Sequence, residues 1–575
     1  MMELIKNIIK HDITFYFVLF ITLILINFPF GFHYFAYSDD FNAYGTFALF
    51  HENIWQNVVL RYHLHTFRPL AGLADAYLIT PFWRHGTEFH NQMPVGQNAM
   101  AFVLLFITTL RFVTILLLKW VFTQSGIIFN RTAIVFFSIF PALTEAAYWI
   151  NASSRIVVSA FFAVAAVACL LKYINSYHYR RKNQSLPWLI FGVVLGIFAQ
   201  GFYEQGIIFS FVLTLGILII HREKIQNHLL FIIPFANTAI IGIYYFAMRN
   251  VGRLSERTTL AEGNIFANSW QIFTHIFRNL RHEQFPTIEN TIRFGLHELL
   301  RSRSPSPLML MIIVAIILAP LLVFTRHHQS ERNRADDETE NAMYTLIAAI
   351  ILFFSTFAIF AIIAESWIWV RNFYFATIGL AMFIGLIDHL LDARFKYYKY
   401  VKLPIAFAAV LIFMAGYVLE VNSIRNTERR DGNIVRGIIT HQQQLEIQPD
   451  ETIWLFGVRW NQIERNPLIW DLHWSPQINP RITSEIMHDW QLNGMMAALS
   501  GEFERPWVVP VMNGAAIPMH RDRHFTDGIL LGIDESGIVR HLELYNDRLV
   551  LYGQNQALGR VDVIDGVDRF FFVRQ

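Results

Sequence analysis

The chain lacks most of what ordinarily organises a protein of 575 residues. It has a single cysteine, Cys169, set inside an apolar stretch, so an intrachain disulfide framework, a cysteine-based zinc cluster and a thiol redox pair are all excluded. Charged residues make up only 16% of the sequence and the formal net charge is +2, which rules out nucleic-acid binding by bulk positive charge. Lysine is scarcer still, with none after Lys402. No repeat array is visible, and collagenous, disordered and coiled-coil patterns are missing too. What remains is apolar: 54% hydrophobic residues, 15% aromatics with 53 Phe and 14 Trp, and a mean hydropathy of +0.36. Soluble domains carry about 25% charged residues, so this composition indicates a polytopic α-helical membrane protein.

A helix needs about 20 apolar residues to cross the hydrocarbon core, and by that test the chain has about eleven candidate spans. They lie near 13–31, 98–121, 128–147, 154–174, 187–202, 206–220, 229–247, 306–325, 343–363, 372–391 and 403–420. The first follows Lys6 and Lys10 like a secretory signal, but the run is long and Phe30-Gly31-Phe32-His33 is no small-residue cleavage site, so it reads as an uncleaved anchor. Basic residues are retained on the cytoplasmic side during insertion. With an inside amino terminus and alternating spans, Lys6, Lys10, Lys119, Lys172, Lys182, Lys224, Lys396, Lys399 and Lys402 all fall on that side. The carboxyl terminus then lies outside, in the plasma membrane of a prokaryote.

Three segments are expected outside the membrane. Residues 33–96 carry Asp39 and Asp40 directly after the first span, then two apolar-patterned stretches expected to lie along the interface. In 249–305, Trp270, Phe273, Ile276, Phe277 and Leu280 follow helical spacing. The tail, 421–575, alternates short apolar runs at Trp454, Trp507, Gly528, His541, Arg548 and Arg569 with Asn, Asp and Gly turns. That is strand and hairpin chemistry, and the length suffices for a small β-rich extracytoplasmic domain beyond a membrane domain of residues 1–420.

Ionisable residues beside apolar spans are costly unless paired or interfacial. Asp39, Asp40, Arg68, Glu145, Arg155, Glu204, Glu365 and Arg371 all come out on the outer face, from separate connections. Each has a plain structural alternative. The Asp pair could cap a helix, the arginines could anchor at the interface, and the glutamates could pair with them only to orient helices. His63, His65, His85 and His90 lack a tight ligand spacing, so no metal site is assigned; a divalent metal beside the Asp pair stays open.

Taken in order, these residues resemble the GT-C-fold membrane glycosyltransferases that use polyprenyl-phosphate-linked sugars, nearest the protein O-mannosyltransferase-like branch. The matching pieces are Asp39-Asp40, Arg68-Pro69-Leu70, the stretch Pro141 to Arg155 with Thr144-Glu145-Ala146, Glu204-Gln205-Gly206, and Arg371-Asn372-Phe373-Tyr374. The resemblance covers about residues 10 to 395. The chain departs from the family at Tyr203, where a lysine is usual, at Val370, where an acid is usual, and at Ile156-Val157 after Arg155. No tetratricopeptide repeats follow the last span.

The resemblance implies an enzyme that moves a sugar from a polyprenyl phosphate to an acceptor hydroxyl. A carboxylate takes the hydroxyl proton, and arginine's forked charge suits the leaving phosphate. Asp39 is then the favoured base with Asp40 beside it, Arg371 the donor-phosphate contact with Arg68 and Arg155 as further candidates, and Glu145, Glu204 and Glu365 in support. The expected partners are a polyprenyl-phosphate-linked sugar, a glycan, lipid or protein acceptor, and membrane lipids. Two other classes compete: a transporter or flippase of lipid-linked sugars, which calls for polar midplane residues and internal repeats, and a nonenzymatic scaffold presenting the tail.

Overall fold

The structure is a computed structural model describing residues 2–37, 40–41, 68–75, 97–178, 182–225, 227–248, 305–323, 335–361, 370–458, 488–500, 505–512, 517, 525–534, 536–552, 557–564 and 567–572, with Trp270, Thr274, Arg278, Arg281 and Glu289 besides. Asp39, Glu365, the four histidines at 63–90 and nearly all of the expected 249–305 helix lie outside the described residues. The chain divides into two units: Met1–Phe32 with Val58–Ala76 and Phe102–Val421, and His33–Asn57 with Tyr77–Ala101 and Asn422–Gln575.

The first unit is helical. Its elements are α1 (Met2–Asn27), α2 (Pro69–Ala74), α3 (Gln97–Gln124), α4 (Arg131–Ile139), α5 (Thr144–Tyr148), α6 (Ile150–His178), α7 (Lys182–Phe202), α8 (Glu204–Ile220), α9 (Ile232–Met248), α10 (Pro305–Val323), α11 (Ala335–Ser355), α12 (Phe373–Arg394) and the first part of α13 (Tyr398–Gln444). Among the described residues, six helices are long and apolar enough to cross a membrane, and four shorter apolar helices accompany them. The expected span near 128–147 is different. Nine-residue α4 stops at Ile139, a 3-10 turn follows at Pro141–Leu143, and α5 restarts at Thr144. Proline at 141 has no N–H to donate to the carbonyl four residues back, so the helix cannot continue through it.

Polar clamps fix the helix ends in this unit. Asn130 caps α4 by accepting from the Ala133 amide at 3.0 Å, and its own amide donates to Gly385 O and Asp388 Oδ2. Asp388 also accepts from Thr132, Tyr398 and Lys402 Nζ, the last at 2.8 Å, which ties α4, α12 and the start of α13 together. Close helix contact depends on glycine at Gly379. A Cβ there would sit 2.5 Å from the Ala349 carbonyl and 2.8 Å from the Phe353 amide, both backbone atoms of α11.

The second unit holds the rest of α13, then β1 (Thr452–Val458), α14 (Asp489–Ser500), β2 (Trp507–Met512), β3 (Ile529–Ile533), β4 (Val539–Tyr545), β5 (Arg548–Leu551), β6 (Ala557–Ile564) and β7 (Val567–Phe572) in one sheet of order β2-β1-β3-β4-β5-β6-β7. The strands expected from the tail sequence are there, and β6 and α14 are additional. Helix persists to Gln444, well past 421, because Ile424, Glu428, Asp431, Ile434, Val435 and Ile438 form a buried stripe at helical spacing. The sheet is mixed. β1 lies between parallel neighbours β2 and β3, and every residue of β1 is buried, as a strand covered on both faces must be. The remaining pairings are antiparallel, and Asn546-Asp547, both at positive φ, form the two-residue turn between β4 and β5. Edge strand β2 is covered by α14, whose Asn493 side chain donates to Val508 O and accepts from Val508 N.

Trp454, Phe456, Val509, Val511, Leu542, Leu549 and Phe570 form the sheet's core. The helical stripe of α13 meets the sheet at β4, where Gly437 lies against Val539 and the His441 ring hydrogen-bonds Val539 O at 3.1 Å. On the same strand, burial and the neighbouring charge of His441 push the His541 imidazole below its ordinary 6.5, against an opposing pull from Glu543.

Two outcomes are expected. Gly379→Val should destabilise the detergent-solubilised chain by about 1–3 kcal/mol through backbone overpacking, whereas Gly216→Ala, a helical position that meets open space, should not lower the thermal midpoint. A folded-state pKa below 6.5 means that His541 adds no pH dependence well above 6.5 and destabilises the folded tail as pH falls below it, because the unfolded chain takes up the proton first. In histidine-labelled protein, the NMR signal lost in His541→Gln should titrate below 6.5 and move up in His441→Gln; a midpoint at or above 6.5 contradicts the assignment.

Candidate functional site

Among the described residues, three arginine–carboxylate pairs stand in the helical unit, and chain connections at helix ends supply most of the partners. Arg68 is the residue before α2, with Pro69 at the first helical position where a missing N–H costs nothing. Its guanidinium grips Glu204 with both prongs, Nε to Oε2 at 2.8 Å and Nη2 to Oε1 at 2.7 Å, and lies 4.6 Å from the centre of the Tyr203 ring. Glu204 opens α8 directly after α7 ends at Phe202, so its charge also faces the positive end of a helix.

Arg371 lies in a 3-10 turn, Val370–Asn372, ahead of α12. Its Nη1 donates to Glu145 Oε1 at 2.7 Å, and the guanidinium stacks on Trp149 at 5.0 Å. The proline break places Glu145 there. The turn Pro141–Leu143 and helix α5 both pack against Val370–Asn372. Of the three arginines, Arg371 is the most accessible, its side chain 26% exposed against 12% for Arg68 and 8% for Arg155.

Asn372 joins these two pairs. Its amide donates to Tyr203 Oη at 2.9 Å and to Gln205 Oε1 at 3.3 Å, while Gln205 donates back to the Asn372 carbonyl at 3.0 Å and to Thr356 O at 3.1 Å. Tyr203 therefore lies within electrostatic reach of Arg68, Glu204, Arg371 and Glu145 together. The tyrosine found where a lysine was expected serves as the polar and aromatic bridge between two ion pairs.

Arg155 is placed differently. Its Nη2 donates to Asp75 Oδ2 at 2.8 Å and to Asn151 Oδ1 at 3.3 Å, with Asp75 nearly inaccessible. Asp75 was not among the residues singled out from the sequence. It is the one charged residue in the apolar run Leu73-Ala74-Asp75-Ala76-Tyr77-Leu78, and that isolation is the signal that could have found it.

Asp40 belongs to the other unit and is 1% exposed. Its Oδ2 accepts from Tyr34 Oη and, at 3.1 Å, from the Tyr37 amide, while the Asp40 amide donates back to Tyr37 O at 3.1 Å. The same segment is tied to α13, since the Ala36 amide donates to Glu428 Oε1 at 3.2 Å and Arg425 lies over the Phe35 ring. Glu428 and Asp431 are buried acids on α13, inside the segment expected to belong to the β-rich tail. Among the described residues, no group of three or more His, Cys, Asp and Glu could hold a metal ion. Of the tail's tryptophans, Trp454 is fully buried in the sheet core, and Trp490 is exposed and stacked on His488 at 4.4 Å.

The ion pairs and the lysines occupy opposite helix ends. Arg155 lies near the start of α6 and Lys172 near its end, Glu204 opens α8 and Lys224 follows it, and Arg371 precedes α12 while Lys396 follows it. The Arg68–Glu204 and Arg371–Glu145 pairs, with the Tyr203–Asn372 bridge, thus make a charged girdle at one set of ends.

No protein-family model matches the chain, and no curated protein does. Among solved structures the chain is similar to the apo-form crystal structure of the Archaeoglobus fulgidus oligosaccharyltransferase, with 10% identity and a TM-score of 0.36 over 86% of this chain and 64% of that one. The chain therefore spans less than two thirds of that protein's length.

Removing one member of a buried ion pair strands its partner. Asp75→Asn or Arg155→Met should each cost about 3–5 kcal/mol of stability, and the double variant should cost less than their sum, read by denaturant titration in detergent.

Proposed function

We propose that this chain is a membrane glycosyltransferase that moves a sugar from a polyprenyl-phosphate donor to an acceptor hydroxyl. The observation that carries this reading is the arginine–carboxylate girdle. Arg371 is paired with Glu145 and stacked on a tryptophan face, and its side chain is 26% exposed. Burying this charge in a helical protein is expensive unless it is paired or used. Pairing with Glu145 fixes the fork, and its accessible part suits a ligand rich in anionic oxygens.

In this reading the lysines at the opposite helix ends support an outer position for the girdle under the positive-inside rule. A lipid phosphate at the headgroup level meets the helix ends there, while its polyprenyl chain stays in the bilayer. Arg371 holds the donor phosphate, and the leaving phosphate departs as a stable anion that needs no acid. Arg68 and Glu204 set the neighbouring hairpin. Arg155, closed on Asp75, serves the packing of α2 on α6.

At the acceptor end, a carboxylate takes the hydroxyl proton as the new oxygen–carbon bond forms and the carbon–phosphate oxygen bond breaks. Asp39 is the base in this reading. Its neighbour Asp40 is buried and hydrogen-bonded to Tyr34 and Tyr37. One displacement of this kind inverts the anomeric centre.

The test is sugar transfer in reconstituted membranes with a panel of labelled polyprenyl-phosphate sugars. Arg371→Ala should lower use of the lipid donor about 10- to 100-fold, the value of a charge-assisted hydrogen bond or two. Asp39→Asn should cost about 100-fold or more, as the loss of a general base does. Full transfer by Asp39→Asn and Asp40→Asn, each at normal expression, removes the base. Movement of donor across the bilayer with no transfer points to a flippase instead.

A further inference from the structure

The proposed chemistry makes no use of Arg111, although it is among the most completely buried large side chains in the molecule, 1% exposed in the middle of α3. Its Nη2 donates to two carbonyls, Phe137 O at 3.1 Å and Ser138 O at 2.7 Å. Both belong to the end of α4. In an uninterrupted helix Phe137 O would accept from residue 141 and Ser138 O from residue 142. Residue 141 is proline, and the chain turns there, so those two acceptors are left over. A guanidinium fits this position because it can donate to two orphaned carbonyls from one nitrogen and carries charge toward the negative end of a helix.

The same guanidinium faces two phenols. Arg111 lies within electrostatic reach of the Tyr374 and Tyr417 hydroxyls, and Tyr374 packs edge-on against Phe137 at 5.4 Å. Tyr417 donates to Asn27 Oδ1 at 2.7 Å, and the Asn27 amide donates to Thr108 Oγ1 at 2.9 Å, one turn before Arg111 on α3. Tyr374 is three residues beyond Arg371, and Ser138 is seven residues before Glu145. The Glu145 half of the pair is therefore carried by the segment whose carbonyls Arg111 caps, and the Arg371 half by the turn whose Tyr374 packs against Phe137 at that cap.

We propose that Arg111 is a positioning residue for the Arg371–Glu145 pair. It caps the broken end of α4, which sets the course of the chain through Pro141 to Glu145, and it faces Tyr374 on the first turn of α12, which sets Arg371. This rests on the reading of Arg371 as the donor-phosphate contact. Lysine at 111 offers no planar fork, and methionine leaves both carbonyls without a donor in an apolar interior.

The test compares Arg111→Met, Arg111→Lys, Arg371→Ala and the Arg111→Met/Arg371→Ala double variant in the reconstituted full chain, with a polyprenyl-phosphate sugar as donor. Arg111→Met should raise the donor KM about 10-fold with kcat changed less than about 3-fold, and Arg111→Lys should recover part of the loss. On the Arg371→Ala background the Arg111 substitution should add less than about 2-fold, since both act on one contact. Hydrogen exchange reads the positioning without the reaction: Arg111→Met should raise exchange in 141–149 and 370–374 and leave β1–β7 unchanged. Unchanged exchange in both segments, or effects of Arg111→Met and Arg371→Ala that multiply, overturns the proposal. If Arg371→Ala alone leaves donor use intact, the donor-phosphate reading fails while exchange still decides the role of Arg111. Should Arg111→Met not accumulate, Arg111→Lys carries the same comparisons.

Discussion

Proline at 141 denies the Phe137 carbonyl its donor, and the layout of the charged girdle follows from how that loss is met. Arg111 supplies the Phe137 and Ser138 carbonyls from another helix, so the interruption is a defined turn and not an unsatisfied gap. Beyond the turn, α5 begins at Thr144 and carries Glu145, which meets Arg371. Had the segment continued as one span, Glu145 would have been an expensive acid inside an apolar helix.

The remaining charges obey the same rule in different ways. Arg68 and Glu204 meet in a two-pronged pair at a helix start, and Arg155 and Asp75 are almost fully withdrawn from water together. Buried pairs of this kind contribute little net stability, because desolvation offsets most of their attraction. What they supply is geometry. Each pair admits one arrangement of the helices that carry it, and the Asn372–Tyr203 hydrogen bond makes two of those arrangements interdependent. Arg371 is thereby fixed by its Glu145 bond, the Trp149 face and the neighbouring Asn372 network together.

The tail domain follows a separate logic. Its central strand is buried along its whole length because parallel neighbours flank it, and Asn493 on α14 satisfies the edge strand's backbone. Gly559 on β6 leaves room for the Phe570 ring of β7. That glycine also broke the apolar alternation by which the strand could have been read, so the device that lets the sheet pack concealed the strand itself. Along α13, Glu428 and Asp431 had a similar effect, since two buried acids inside an apolar stripe give the sequence the look of a solvated segment.

Hydropathy by itself determined where most of the apolar helices lie, because that depends on the one-dimensional distribution of residues against the thickness of a bilayer. The strands at Trp454, Trp507 and Arg569 were legible for the same reason, as local apolar runs bounded by turn residues. Partnership was not. Arg68 finds Glu204 across more than a hundred residues, Arg155 finds Asp75, and Arg111 finds carbonyls that carry no side-chain signal at all. Only the folded chain decides such pairings, since the cost of a buried charge depends on what packing brings beside it, and no local pattern in the sequence records that neighbour.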